Sequence, residues 1–259
     1  MNAPTERAVR VNGELCRVWE KGQGEPLGFV AGLGGLPRWT PFLDRLSERR
    51  RVVVPSLPGF PGGLGHEKLD DLADWVTAAL DLVEAAGLRG ADLAGASIGA
   101  TLLAEAAAFS PGVARRLVLV SPLGLFDERE PVTDVWAQRP DELVALLAEN
   151  TERLSAELAP PAGAEPVEWQ IVAQRAWEAA ARLLWPTGDL GLAKRLHRIA
   201  VPTLLLWGSA DRVVPASYAK RFAEGLAGPT RIRAIEGAGH RADLDAPEEL
   251  AAAILDFLG

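Results

Sequence analysis

Ala91-Asp92-Leu93-Ala94-Gly95-Ala96-Ser97-Ile98-Gly99 decides how this chain folds. The run Ala91–Ala94 predicts a short strand, and the residues from Ile98 to Ser110 predict a helix. Ser97 then falls on a tight strand-to-helix turn, where a strained backbone lifts its hydroxyl clear of the sheet edge. Gly95 and Gly99, two positions to either side, remove the Cβ atoms that would collide with neighbouring backbone. The free N–H groups at the start of the helix favour a developing oxyanion. Ser97 is the candidate nucleophile; the alternative for a serine here is a plain helix N-cap.

Outward from that turn, short apolar runs alternate with helical patterns. Strands are predicted at Ala8–Val11 and Glu14–Glu20, joined by the hairpin turn signal Asn12-Gly13. Further strands are predicted at Leu27–Ala31, Arg51–Pro55, Arg116–Ser121, Pro202–Trp207 and Thr230–Ile235. Leu69, Leu72, Ala73, Val76, Leu80 and Val83 recur with helical spacing, and Ala246–Leu258 makes a closing helix. This alternation is the pattern of an α/β fold: a mostly parallel sheet with helices on both faces.

The alternation stops between Leu125 and His197. Prolines at 131, 140, 160, 161, 166 and 186 break that stretch into helices, and no strand is evident. Trp169, Ala173, Ala176, Ala180 and Leu184 share one helical face. The reading is a core of residues 1–124 and 198–259, with residues 125–197 as a helical cap inserted over the sheet and without a core of its own.

Only three histidines are present. His240 follows Gly237-Ala238-Gly239, between the last strand and the last helix. That is the carboxyl edge of the sheet, where open α/β folds place their sites. His66 is expected to be an exposed loop residue, and His197 to sit at a helix end among Lys194, Arg195 and Arg198. Asp211, in the loop after the strand Pro202–Trp207, is the candidate acid that orients the imidazole. Asp127 is its competitor, whereas Asp243 and Asp245 lie too close to His240 in sequence. The order Ser97, Asp211, His240 is the chain order that serine nucleophiles on this type of sheet use.

Bulk properties narrow the partners. The net charge of −8 argues against nucleic acid, which needs clustered Lys and Arg. No apolar run is long enough to cross a membrane. The polar stretch Met1–Arg10 lacks the apolar core of a secretory signal, so a cytoplasmic location is expected. The single cysteine, Cys16, leaves no intrachain disulfide and no metal-ligand cluster. The cap carries 13 acidic against 7 basic residues, which disfavours an anionic substrate. Four of the eight tryptophans, Trp136, Trp169, Trp177 and Trp185, fall in the cap. They are candidate substrate contacts as well as candidate packing residues.

Several segments together resemble the α/β-hydrolase superfamily over nearly the whole chain. They are Ala31-Gly32-Leu33-Gly34-Gly35, Pro58-Gly59-Phe60, the turn at Ser97, Pro202-Thr203-Leu204 with Trp207-Gly208, and Gly239-His240. The resemblance implies a Ser97–Asp211–His240 triad, an oxyanion hole made by the backbone N–H groups of Leu33 and Ile98, and no metal or organic cofactor. Many relatives carry His-Gly where this chain has Ala31-Gly32, so a brace of the oxyanion loop is missing. The expected activity is a serine esterase on a small to medium uncharged ester. Rivals are a carbon–carbon bond hydrolase, a perhydrolase with the same residues, and a small-molecule receptor that does not turn over. Relatives that cleave carbon–carbon bonds typically carry tryptophan after the histidine, where Arg241 stands here. Dehalogenases and epoxide hydrolases place aspartate at the position of Ser97.

Overall fold

The computed structural model describes residues 3–259; Met1 and Asn2, the start of the polar N-terminal stretch, lie outside them. The strands are β1 Thr5–Val11, β2 Glu14–Lys21, β3 Pro26–Val30, β4 Arg51–Pro55, β5 Ala91–Ala96, β6 Ala114–Val120, β7 Thr203–Gly208 and β8 Thr230–Ile235. The helices are α1 Pro41–Ser47, α2 Leu72–Ala85, α3 Ile98–Phe109, α4 Pro140–Leu147, α5 Thr151–Leu158, α6 Pro166–Leu184, α7 Tyr218–Gly225, α8 Ala242–Asp245 and α9 Pro247–Leu258. One eight-stranded sheet runs in the order β1-β2-β4-β3-β5-β6-β7-β8. β1 pairs antiparallel with β2, and β2 antiparallel with β4; every other pairing is parallel.

The β1–β2 hairpin turns on Asn12 and Gly13, both at positive φ (49° and 82°), as a two-residue turn matched to strand twist requires. β5 and β7 are buried at every position, because helices cover both sheet faces. Alternate residues serve opposite faces. Leu117 and Leu119 of β6 pack in the cluster with α2 and α3, whereas Val118 and Val120 pack in the cluster with α9.

The stretch between β6 and β7 contains α4, α5 and α6 and no strand. Its buried residues Leu147, Leu154, Ala176, Ala179, Ala180 and Leu183 belong to the same apolar cluster as α2 and α3. This helical cap is pinned to the core by polar contacts as well. Arg182 reaches the carbonyls of Leu69 and Glu67, and Arg175 Nε donates to the Gly59 carbonyl at 3.3 Å. Three elements carry no clear periodicity in sequence: α1 and α7, of 7 and 8 residues, and the first half of β1. β1 starts at Thr5 because its ladder to β2 runs its whole length, from Thr5 opposite Glu20. None of the described helices is long and apolar enough to cross a membrane.

Candidate active site

The turn between β5 and α3 is strained at Ser97. Ser97 sits at φ 50°, ψ −121°, outside the regions open to most side chains. Its N–H donates to the Val120 carbonyl of β6 at 2.8 Å, and its carbonyl accepts from Thr101 N at 2.9 Å and Thr101 Oγ1 at 3.1 Å. Thr101 Oγ1 also accepts from Leu123 N at 2.9 Å. This threonine therefore ties the turn to the segment that leads into the cap, and nothing in its sequence context marks it. The flanking glycines are demanded by space. A Cβ at Gly99 would lie 2.4 Å from the Val30 carbonyl oxygen, and one at Gly95 would lie 2.8 Å from Ala100 N. The Ser97 side chain makes no helix-cap bond, which excludes the N-cap alternative.

Its hydroxyl instead lies 2.8 Å from His240 Nε2, and His240 Nδ1 lies 3.0 Å from Asp211 Oδ2. The His240 and Asp211 side chains are fully buried. Asp211 Oδ1 accepts from Val213 N at 2.9 Å and Val214 N at 3.0 Å. Burial alone would raise this carboxyl. The His240 imidazole, helped by the Val214 N–H, outweighs that and holds it below the usual aspartate range. Asp127, the competing acid, pairs with Arg221 and accepts from Arg129 N. It does not reach His240.

The histidine loop depends on a residue that sequence distance had set aside. Asp245 accepts from Gly239 N at 2.8 Å, Glu149 N at 3.0 Å and Asn150 N at 2.7 Å. It thus fastens the loop of His240 to the joint between α4 and α5, and Arg241 N donates to the Leu147 carbonyl at 2.8 Å beside it. Asp243 accepts the Arg241 guanidinium as a fork, 2.9 Å at each oxygen. The grip of Asp245 has no sequence signature, since it depends on where the cap folds back.

Gly32 packs against the nucleophile, and a Cβ there would lie 3.1 Å from Ser97 Cβ. The backbone N–H groups of Leu33 and Ile98 make no hydrogen bond among the described residues. A narrow cleft of about 30 Å³ opens from this loop under the cap, lined by Leu33, Gly34, Glu157, Trp169, Trp177 and Arg241 among others. Trp136 stands behind it, edge-on to Trp177 with ring centroids 6.3 Å apart. Two expectations need correction. Trp185 caps the end of α6 with 61% of its surface exposed, and it does not reach the cleft. His66 is buried rather than exposed, because α6 packs over it and brings Glu178 within 3.6 Å of Nε2. His197 is exposed, in a single helical turn at Leu196–Arg198. Among the described residues no group of three His, Cys, Asp or Glu side chains is placed to hold a metal ion.

The model of the alpha/beta hydrolase family matches residues 29–253. Over its full length the chain is 26% identical to a 2-hydroxy-6-oxo-2,4-heptadienoate hydrolase of Pseudomonas putida, covering 98% of that protein. It is 27% identical to a carboxylesterase of Bacillus subtilis, over 88% of this chain and 77% of that one. The fold also matches the 2-hydroxy-6-oxo-6-phenylhexa-2,4-dienoate hydrolase of a Rhodococcus strain. The TM-score is 0.78, with 98% of each chain covered and 16% identity. Ser97 at the strained turn, the cap between β6 and β7 and the family match over most of its length agree: this chain belongs to the α/β-hydrolase family.

Proposed function

We propose that this hydrolase cleaves small to medium carboxylic esters through an acyl-enzyme on Ser97. The observation that carries the reading is a single buried imidazole bonded to the Ser97 hydroxyl through one nitrogen and to Asp211 through the other. His240 Nε2 takes the Oγ proton as Oγ bonds to the ester carbonyl carbon. The carbonyl electron pair moves onto oxygen, where the N–H groups of Ile98 and Leu33 stabilise it. Collapse of this intermediate expels the alcohol, which takes its proton from the imidazolium. A water molecule then repeats the sequence on the acyl-enzyme, releasing the acid and restoring Ser97. Asp211 stays ionised throughout and holds the tautomer that leaves Nε2 free to accept.

Residues 125–197 act as the cap that sets substrate size, with Trp169 and Trp177 walling the cleft. A cavity of this volume holds roughly two waters, so it receives only the tip of a substrate. Small enclosed esters are favoured over polymers and emulsified fats.

The second reading, hydrolysis of a carbon–carbon bond, is favoured by the full-length relative from Pseudomonas putida, whose name describes that substrate type. Arg241, locked to Asp243 where such relatives typically have tryptophan, favours esters, as does the Bacillus subtilis relative. A panel of p-nitrophenyl esters from two to twelve acyl carbons, run beside a vinylogous diketone, separates them. Turnover of a short or medium ester above that of the diketone supports the ester reading. Faster turnover of the diketone than of every ester replaces it with the second.

A further inference from the structure

The peptide that joins Ser97 to Ile98 carries both the nucleophile's own carbonyl and the N–H that the proposed mechanism aims at the oxyanion. It is trans, so its C=O and N–H point in opposite directions, and whatever fixes the one fixes the other. Ser97, at φ 50° and ψ −121°, keeps a backbone that persists only where its surroundings over-determine it. The peptide before Ser97 is held by the 2.8 Å bond from the Ser97 N–H to the Val120 carbonyl. Among the described residues, the peptide after it is held by Thr101, through N at 2.9 Å and Oγ1 at 3.1 Å from the Ser97 carbonyl oxygen. The first of these is the ordinary opening bond of α3; the second is added by a side chain. Thr101 Oγ1 is in turn fixed from outside the helix. It is buried, accepts from Leu123 N at 2.9 Å, and has the Leu123 carbonyl at 3.2 Å as a second acceptor for its one proton. The Thr101 methyl stands against Gly124, where a Cβ would come within 3.4 Å of it.

We propose that Thr101 is a positioning residue whose hydroxyl holds the Ser97–Ile98 peptide in the rotation that turns the Ile98 N–H toward the developing oxyanion. That N–H has no hydrogen-bond partner among the described residues, as a donor reserved for the oxyanion requires. Such a donor works by pointing at the charge before it forms, with no reorganisation at the moment of reaction. A threonine inside a helix commonly bonds the carbonyl four residues back, and that alone is a structural habit. Here the carbonyl belongs to the nucleophile, and the same oxygen is locked by Leu123 from the segment after β6. β-Branching restricts χ1 further, so Oγ1 stays between its two partners. Thr101 makes no hydrogen bond to the Ser97 hydroxyl or to His240, so it acts on the oxyanion and leaves the proton transfer as it is. This deepens the proposed acyl transfer and rests on that reading of Ser97 and Ile98.

The test uses the full chain with p-nitrophenyl butanoate as substrate and 1,1,1-trifluoropentan-2-one as inhibitor. Ser97 Oγ bonds to the ketone carbon, the carbonyl electron pair moves onto oxygen, and the Oγ proton passes to His240. The adduct thus sets an oxyanion before the Ile98 N–H without turnover. Thr101→Val keeps the shape and removes the hydroxyl. It lowers kcat about tenfold, with KM changed about twofold at most, and weakens the ketone by about the same tenfold, less than the loss of a whole oxyanion donor. The acid limb of kcat/KM against pH stays in place, because it reports His240. Thr101→Ser brings kcat and ketone affinity back to within about threefold of the unaltered chain. Urea unfolding checks that each variant is folded under assay conditions. Where Thr101→Val does not fold, Thr101→Ala replaces it, since the space it opens admits a water to Leu123 N. A threonine that only stabilises α3 lowers the urea midpoint and leaves kcat and ketone affinity unchanged, which overturns the proposal. A serine variant as impaired as the valine one, or an acid limb that shifts, also overturns it. Ester turnover by the unaltered chain tests the ester reading separately. Inhibition by the ketone without ester turnover sinks that reading alone and still reads Thr101, whereas a ketone that does not inhibit the unaltered chain overturns both.

Discussion

The two ends of β5 hold buried polar groups that solve opposite problems. At its start, Asp92 is gripped by Arg50, Arg115 and Arg116, with contacts of 2.8–3.2 Å on both carboxylate oxygens. Arg50 continues to the carbonyls of Leu258 and Gly259, so the cluster also anchors the end of α9. Just past the other end, Ser97 meets His240, and His240 meets Asp211. Both carboxyls are buried and both lie below the usual aspartate range, against the upward push of burial. The partners make the difference. Three guanidiniums saturate Asp92 and leave nothing to react, whereas a single imidazole on Asp211 keeps its second nitrogen for the serine. A depressed carboxyl is thus no mark of a site by itself; what its partner can still do decides.

This contrast can be broken at several points. Ser97→Ala lowers kcat on a reactive ester by roughly 10³-fold or more with the fold retained, because residues that act as a unit fail together. A fluorophosphonate probe labels the unaltered chain at Ser97, and mass spectrometry that finds the label on another serine refutes the assignment. Asp211→Asn lowers kcat by about 10³- to 10⁴-fold by favouring the wrong imidazole tautomer. Asp127→Asn changes kcat by about threefold at most; if it proves the more damaging, the acid lies at the end of β6 after all.

Asp92→Asn inverts that pattern, with kcat nearly kept but stability falling by about 3 kcal/mol, since the buried Arg50 guanidinium loses its counter-charge. Urea unfolding of the two variants side by side measures this. Equal activity losses in both would dissolve the distinction between the two ends of the strand. Among the tryptophans, Trp169→Ala or Trp177→Ala shifts the kcat/KM ratio between short and medium esters by about tenfold, while Trp185→Ala leaves it unmoved. If all three behave alike, the cap does not set substrate size.

The smallest effect is on acid stability. Asp92 is depressed in the folded chain, so the unfolded chain binds more protons and stability rises with pH. That contribution is complete above the unfolded carboxyl value of about 3.9 and is lost as pH falls through the lower folded value. Thermal unfolding below about pH 4 therefore shows a shallower pH dependence in Asp92→Asn than in the unaltered chain.

Much of the geometry around Ser97 was legible because its signals are local. Gly95 and Gly99 mark a turn that has no room for a Cβ, and Asp211 and His240 each follow a strand whose end lies at the same sheet edge as Ser97. The helical stretch between β6 and β7 also declared itself, by prolines and by the absence of alternation. α1 and α7 did not, being too short for a helical period to show. The burial of His66, the exposure of Trp185 and the grip of Asp245 on the His240 loop left no trace either, because each depends on where the cap lands.

By itself the sequence determined the α/β alternation, the strained turn at Ser97 and the short list of groups able to serve it. Hydrophobic period and glycine placement act within a few residues of chain and need no distant partner. Tertiary structure alone decided which acid reaches His240 and which tryptophans face the cleft. Those outcomes are set by contacts between segments distant along the chain, such as Trp136 with Trp177 or Asp245 with Glu149. No local pattern encodes them, because the direction of a cap side chain is fixed only when α5 and α6 close over the loops at the carboxyl end of the sheet.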